Sequence, residues 1–193
     1  LQHMNYPLQM NIKKEIFHEL LKQNGLLTYV EPLFISVGET NLRTRAKVFT
    51  ENGAPAFRAY HSNELIKFSN CPALNPEFQK LIFQDAKKRN GDVQYEFSKF
   101  SKDFMPPMDH VRKIVNGKAV KIFKNSFFQS SEEGAGMLCS LLTNEINDLK
   151  PKTGYDLFCG SGLFSIFMAE TGVAVTGMEI VTSAVESYRE NLK

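Results

Sequence analysis

The chain has 193 residues, 42% of them hydrophobic and 23% charged, with a formal net charge of +2 at pH 7. That composition is the one expected of a soluble globular protein with room for one ordinary domain or two small ones, and no apolar run approaches the roughly 20 residues needed to span a bilayer. So small a charge does not point to nucleic acid unless it is clustered, and three widely spaced cysteines, Cys71, Cys139 and Cys159, argue against a disulfide framework and for a reducing, cytoplasmic setting.

The opening residues Leu1-Gln2-His3-Met4 have neither the basic end nor the apolar stretch of a secretory signal. Between Pro7 and Asn24, Leu8, Ile12, Ile16, Phe17, Leu20 and Leu21 recur at helical spacing, and Gly25 offers a left-handed stop. From Asn41 to Phe49, basic residues alternate with smaller or apolar ones. Asn52-Gly53 then supplies a hairpin turn, with Ala56 to Tyr60 as the return strand. Asn75-Pro76-Glu77 reads as a helix start, with an amide cap, a proline in the first turn and an acid near the positive end of the dipole; the helix is expected to run to about Arg89. Val93, Tyr95 and Phe97 alternate as in a half-buried strand, Phe104 to Met108 reads as a loop, and Asn116-Gly117 predicts a second hairpin between Val111 and Phe123.

Ser131 is a candidate cap for a helix carrying Met137, Leu138, Leu141, Leu142 and Ile146, closed by Pro151. A strand at 155–158, a glycine turn, a helix at 164–170, a strand at 173–180 and a final helix then form a βαβα unit. The expected architecture is α/β. A mixed α+β segment over residues 1–124 precedes the opening of a parallel sheet over 125–193, with two strands where a doubly wound domain has about five or more.

Asp156-Leu157-Phe158-Cys159-Gly160-Ser161-Gly162 puts Gly160 and Gly162 where a strand turns into a helix, so that backbone can approach a ligand. Seventeen residues after Gly162, Glu179 ends the next strand, a suitable place for an acceptor of ribose hydroxyl groups. The third glycine of the dinucleotide fingerprint is replaced by Ser165, which disfavours a pyrophosphate ligand and favours S-adenosylmethionine, which has none. A tight turn in any α/β protein is the competing explanation. Arg43, Arg45 and Lys47 fall on one face of a strand, where they could track phosphates or simply be solvated. Phe49, Phe57 and Tyr60 nearby could stack on unpaired bases or belong to the core.

The 156–162 stretch, followed by Gly177-Met178-Glu179-Ile180-Val181, resembles the opening of the catalytic domain of the RNA uracil-5-methyltransferases. Other stretches agree in the family's order: Leu1-Gln2-His3, Arg43-Thr44-Arg45-Ala46-Lys47, Phe57-Arg58, Cys71-Pro72-Ala73-Leu74 and Phe127-Phe128-Gln129. The resemblance implies a class I, Rossmann-like methyltransferase domain. It places Gln129, Phe158, the position of Leu163, and Glu179 around S-adenosylmethionine, beside Gly160 and Gly162. Leu163 stands where many relatives carry asparagine, so only its backbone could serve there, and Ser130-Ser131 also depart from the family's pattern. Cys71 resembles the fourth ligand of a four-iron, four-sulfur cluster whose other three ligands, which relatives carry just before the position of Leu1, are absent. Cys139 and Cys159 read as inert thiols.

The chemistry implied is methyl transfer to C5 of a uridine in RNA. A cysteine thiolate adds to C6, and a general base then removes the C5 proton. In relatives the nucleophile lies in a Ser-Cys-Asn-Pro stretch and the base near the C-terminus, both beyond the equivalent of Lys193. The chain is thus expected to be an internal fragment with no catalytic residue of its own and no inferable protein partner. Cys71 and the Leu-Gln-His opening favour ribosomal RNA of the large subunit. Transfer RNA is the alternative substrate, and a non-catalytic RNA-binding remnant is the alternative of another class.

Overall fold

The computed structural model describes residues 4–29 and 32–193, so the Leu1-Gln2-His3 stretch lies outside the described residues. The chain divides into two compact units, Leu1–Glu39 and Thr40–Lys193. In the first, α1 (Tyr6–Gln23) starts at Asn5, whose side chain accepts from the Leu8 amide at 3.0 Å. Its apolar positions are little used within this unit: Leu21 is buried, whereas Leu8, Ile16, Phe17 and Leu20 are exposed.

The second unit begins with a five-stranded antiparallel sheet in the order β3-β2-β1-β4-β5. Its strands are β1 (Arg45–Glu51), β2 (Ala54–Arg58), β3 (Leu65–Lys67), β4 (Gly91–Phe97) and β5 (Phe104–Met105). Asn52 and Gly53 turn β1 into β2 with φ of 50° and 79°, the left-handed pair that a two-residue hairpin requires. One face of the sheet buries Ala46, Val48, Tyr95 and Phe97 against Phe78 and Ile82 of α2 (Pro76–Ala86). The side chain of Asn75 caps α2 through the Phe78 amide at 3.1 Å, and the helix ends at Ala86, a turn before the expected Arg89. The expected loop at 104–108 begins with β5, which pairs with β4 at Glu96 and Phe97.

A second hairpin, β6 (His110–Val115) and β7 (Lys118–Phe123), packs Val115, Val120 and Ile122 against Phe128, Cys139 of α3 (Glu132–Leu149) and Leu163, Ile166 and Phe167 of α4 (Leu163–Glu170). β8 (Thr153–Leu157) and β9 (Ala174–Met178) pair in parallel across α4, and α5 (Thr182–Asn191) follows. α5 also occupies the free edge of β7. Asn191 accepts from the Lys121 amide at 2.8 Å and donates to its carbonyl at 2.9 Å, and Ser187 accepts from the Phe123 amide at 3.0 Å, so side chains do what another strand would do. Among the described residues no helix is long and apolar enough to cross a membrane.

The two cores meet at a buried polar cluster. Lys113 on β6 and Glu96 on β4, both side chains fully buried, form an ion pair at 2.8 Å. Lys113 also donates to Thr44 Oγ1 at 2.9 Å and to the Phe97 carbonyl. Glu132, the first residue of α3, accepts from Ser98 Oγ at 2.7 Å, the Lys99 amide at 2.9 Å and the Ile114 amide at 3.0 Å. β4 is therefore covered on both faces at its C-terminal end, rather than half-buried along its length.

Candidate functional site

The 156–162 segment leaves β8 and enters α4 through a strained turn. Gly162, the N-cap of α4, has no side chain to cap with; Asp156 takes over, accepting from Ser165 N at 3.1 Å and Ser165 Oγ at 2.6 Å. Phe158 has φ of 60°, unusual for a bulky residue, and is 88% exposed, so it is not a core aromatic. The turn is held to the neighbouring strand by the bond from the Cys159 amide to the Met178 carbonyl at 3.0 Å.

Glu179, just past β9, faces this turn. Its carboxylate accepts from the Gly160 amide at 3.0 Å, the Ile180 amide at 2.7 Å and the Val181 amide at 2.9 Å. These bonds hold its carboxyl below the usual range, the Val181 amide contributing most. A carboxylate offers about four acceptor positions, so with three used it keeps room for about one more donor.

The two glycines of the turn play different parts. A side chain on Gly160 would meet nothing closer than the Phe127 carbonyl at 3.8 Å, whereas one on Gly162 would strike the Tyr188 ring at 2.7 Å. Gly160 thus lies open to a shallow concavity, and Gly162 accommodates α5. The concavity, of about 70 Å³, is lined by Phe127, Gln129, Phe158, Gly160, Ser161 and Leu163, among others. The structure therefore brings Gln129, from the loop before α3, to the glycine turn. Leu163 is 6% exposed and lends its side chain to the second core. Ser161 is a residue the sequence reading missed: its hydroxyl is buried, lines the concavity and has no hydrogen-bond partner.

Comparison with known proteins sets this geometry in context. No family model matches the chain. An RNA methyltransferase of Clostridium tetani is 39% identical over 85 residues, which are 44% of this chain and 19% of that protein. A 23S rRNA (uracil(747)-C(5))-methyltransferase of Shewanella amazonensis is 34% identical over 83 residues, 43% of this chain and 22% of that protein. The Pyrococcus abyssi tRNA (uracil-54, C5)-methyltransferase, solved with S-adenosyl-L-homocysteine, superposes on all of this chain and 61% of its own with a TM-score of 0.74 at 19% identity, a likeness of fold. Over these stretches the chain is similar to RNA methyltransferases, one of them a uracil-C5 enzyme. It matches about a fifth of the length of these two curated relatives, and the expected α/β fold of class I methyltransferases is the one it has.

The basic residues around β1 divide. Arg43, which precedes the strand, and Lys47 are exposed. Arg45 is committed elsewhere: its guanidinium pairs with buried Glu96 at 3.2 Å, donates to the Ser126 carbonyl at 2.7 Å and lies 5.4 Å from the Phe127 ring centroid. With the Thr44 amide bonded to the Ser130 carbonyl at 2.8 Å, Arg45 and the residue before it grip both ends of the segment that carries Gln129. Of the aromatics, Phe57 stacks on Phe68 in the first core and Phe49 lies under Arg58, so Tyr60, 90% exposed, is the one open to a base.

The cysteines do not converge. Burial pushes the Cys139 thiol up to about 12; burial, aided by Asp156 and Glu179, pushes Cys159 to about 11, so both stay protonated and unreactive at neutral pH. Cys71 is half-buried against the first core, its amide bonded to Gln79 Oε1 at 2.6 Å. No three metal-ligating side chains cluster among the described residues, so the residues present do not fit an iron–sulfur cluster.

Proposed function

We propose that the protein containing this chain transfers a methyl group from S-adenosylmethionine to C5 of a uridine in RNA, in the cytoplasm. Residues 125–193 would open its donor-binding domain, and residues 1–124 would form a central segment that meets the RNA. Large-subunit ribosomal RNA is the preferred substrate, consistent with the 23S rRNA enzymes among the similar proteins. The observation that carries the reading is the pairing of the open Gly160 turn with an ionised Glu179 that retains acceptor capacity.

The residues fit the donor on a physical ground. Ser161 has a buried hydroxyl without a partner, a costly arrangement that a polar ligand would relieve. When bound, S-adenosylmethionine supplies an electrophilic methyl group. Glu179 would accept a hydrogen bond from its ribose, exposed Phe158 and half-buried Gln129 would flank it, and Gly160 and the Leu163 backbone would allow its close approach. By the family resemblance, a cysteine thiolate and a general base would act on the uracil. Arg43 and Lys47 would contact phosphate, while Arg45 serves by fixing the 126–130 loop.

Calorimetric titration with S-adenosyl-L-homocysteine tests this reading. Glu179→Ala should weaken binding by about 1–3 kcal/mol, roughly 5–150-fold, the cost of losing a charge-assisted hydrogen bond. Because the Glu179 carboxyl is held below its ordinary value, wild-type affinity should be flat from neutral pH down through the usual carboxylate range and should fall only at pH below that range. Affinity that is indifferent to the substitution removes Glu179 from the site.

A further inference from the structure

A second concavity, of about 630 Å³, opens on the opposite face of the five-stranded sheet from α2. It is lined by Lys47 of β1, Lys88 and Arg89 beyond α2, Gln94 of β4, and Lys124 and Asn125 beyond β7, among others. Four basic side chains thus face one acid, Asp92, which is paired with Arg58 at 3.2 Å; Arg89 is likewise paired, with Asp85. Among the described residues Lys47, Lys88 and Lys124 pair with no carboxylate. The Gln94 amide nitrogen is buried with no acceptor. The wall is rich in donors and poor in acceptors, which selects an anionic ligand with several oxygens.

The place of this wall in the chain says what kind of anion it would take. Asn125 and Phe127 are two residues apart, so their Cα atoms lie within about 8 Å, and the basic concavity adjoins the loop that carries Gln129 to the candidate donor site. Three separated ammonium groups suit successive phosphates of a strand better than one compact anion. We infer that Lys47, Lys88 and Lys124 form a phosphate-tracking site for the RNA strand beside the target nucleotide, an inference that rests on the RNA-methylation reading. It moves the RNA contact from the basic hairpin alone to a surface that β1, the end of α2 and the end of β7 build together.

The test is a salt titration of binding by this chain to a short labelled single-stranded RNA containing uridine and to its scrambled counterpart, for the wild type and for Lys88→Ala/Lys124→Ala. The double variant should bind both RNAs more weakly and reduce the slope of log affinity against log salt by about 1.4, about 0.7 for each phosphate that is no longer neutralised. A charge-matched control, Lys13→Ala/Lys80→Ala at exposed positions outside the concavity, should leave the slope unchanged. A thermal melt confirms folding, and if the first variant is unfolded, Lys88→Gln/Lys124→Gln replaces it with the same expected slope. An unchanged slope in the folded variant, or an equal drop in the control, overturns the site while leaving the methylation reading standing. Absence of RNA binding by the wild type overturns the RNA reading and the site with it. Unaltered affinity of the double variant for S-adenosyl-L-homocysteine is expected, and its loss would show that the lysines act through the donor loop instead.

Discussion

Replacing Glu96 with Gln is expected to lower the unfolding free energy by about 3–5 kcal/mol, the cost of removing one partner of a buried ion pair. The substitution is nearly isosteric, so it opens no cavity; what it removes is the counter-charge 2.8 Å from Lys113, a side chain with no exposure to solvent. Arg45 loses the same partner, although at 19% exposure water can compensate it in part. Burial pushes the Glu96 carboxyl above the ordinary range while Lys113 and Arg45 oppose it, so the pair stands on a balance between desolvation and Coulomb attraction. The double variant Glu96→Leu/Lys113→Met removes both charges and should recover most of the loss, because an apolar pair of similar volume carries no desolvation penalty. Urea denaturation of wild type, single and double variants measures both quantities. A loss under about 1 kcal/mol in the single variant would mean that water reaches the cluster.

Gly162→Ala should cost about 2–4 kcal/mol, for two separable reasons. At φ of 83° an L-residue is strained by about 1–2 kcal/mol. The added methyl group would also lie 2.7 Å from Tyr188 Cδ2, an overpacking worth about 1–3 kcal/mol unless the ring moves. In a Tyr188→Ala background the second contribution should vanish and the first remain, so the cost of Gly162→Ala should fall by roughly half. The same denaturation series reads this out. Should the cost be equal in both backgrounds, Tyr188 already has room to move and only the backbone conformation demands glycine. Gly160, whose open side faces the concavity, predicts a different pattern: with φ of 55° and no close neighbour, alanine there should meet the backbone strain but no overpacking.

Tyr188 and Glu96 show where the sequence stops being informative. Short-range features were legible from it because their causes lie within a few residues. Asn52-Gly53 and Asn116-Gly117 adopt the left-handed angles that hairpins need, and the side chains of Asn75 and Ser131 cap their helices as the local pattern implies. The turn at 156–162 and the acid after the next strand were legible for the same reason, since a βαβ unit fixes both positions relative to one helix.

Long-range partnerships had no such signature. Lys113 alternates in phase with buried Val111 and Val115, a mismatch that does mark it as unusual, but its partner lies 17 residues back in the chain, on another sheet. Arg45, Arg43 and Lys47 are equivalent in the alternation of a single strand; only the approach of β4 and of the loop at 126 turns Arg45 inward to Glu96 and leaves the other two outside. Likewise nothing local distinguishes Lys88 and Lys124 from ordinary solvated lysines until β1, α2 and β7 bring them to one wall. Periodicity and turn chemistry record what each segment can do by itself. Which charges are neutralised, which glycine faces an open concavity and which faces a tyrosine depend on neighbours distant in the chain, and those the tertiary packing alone decided.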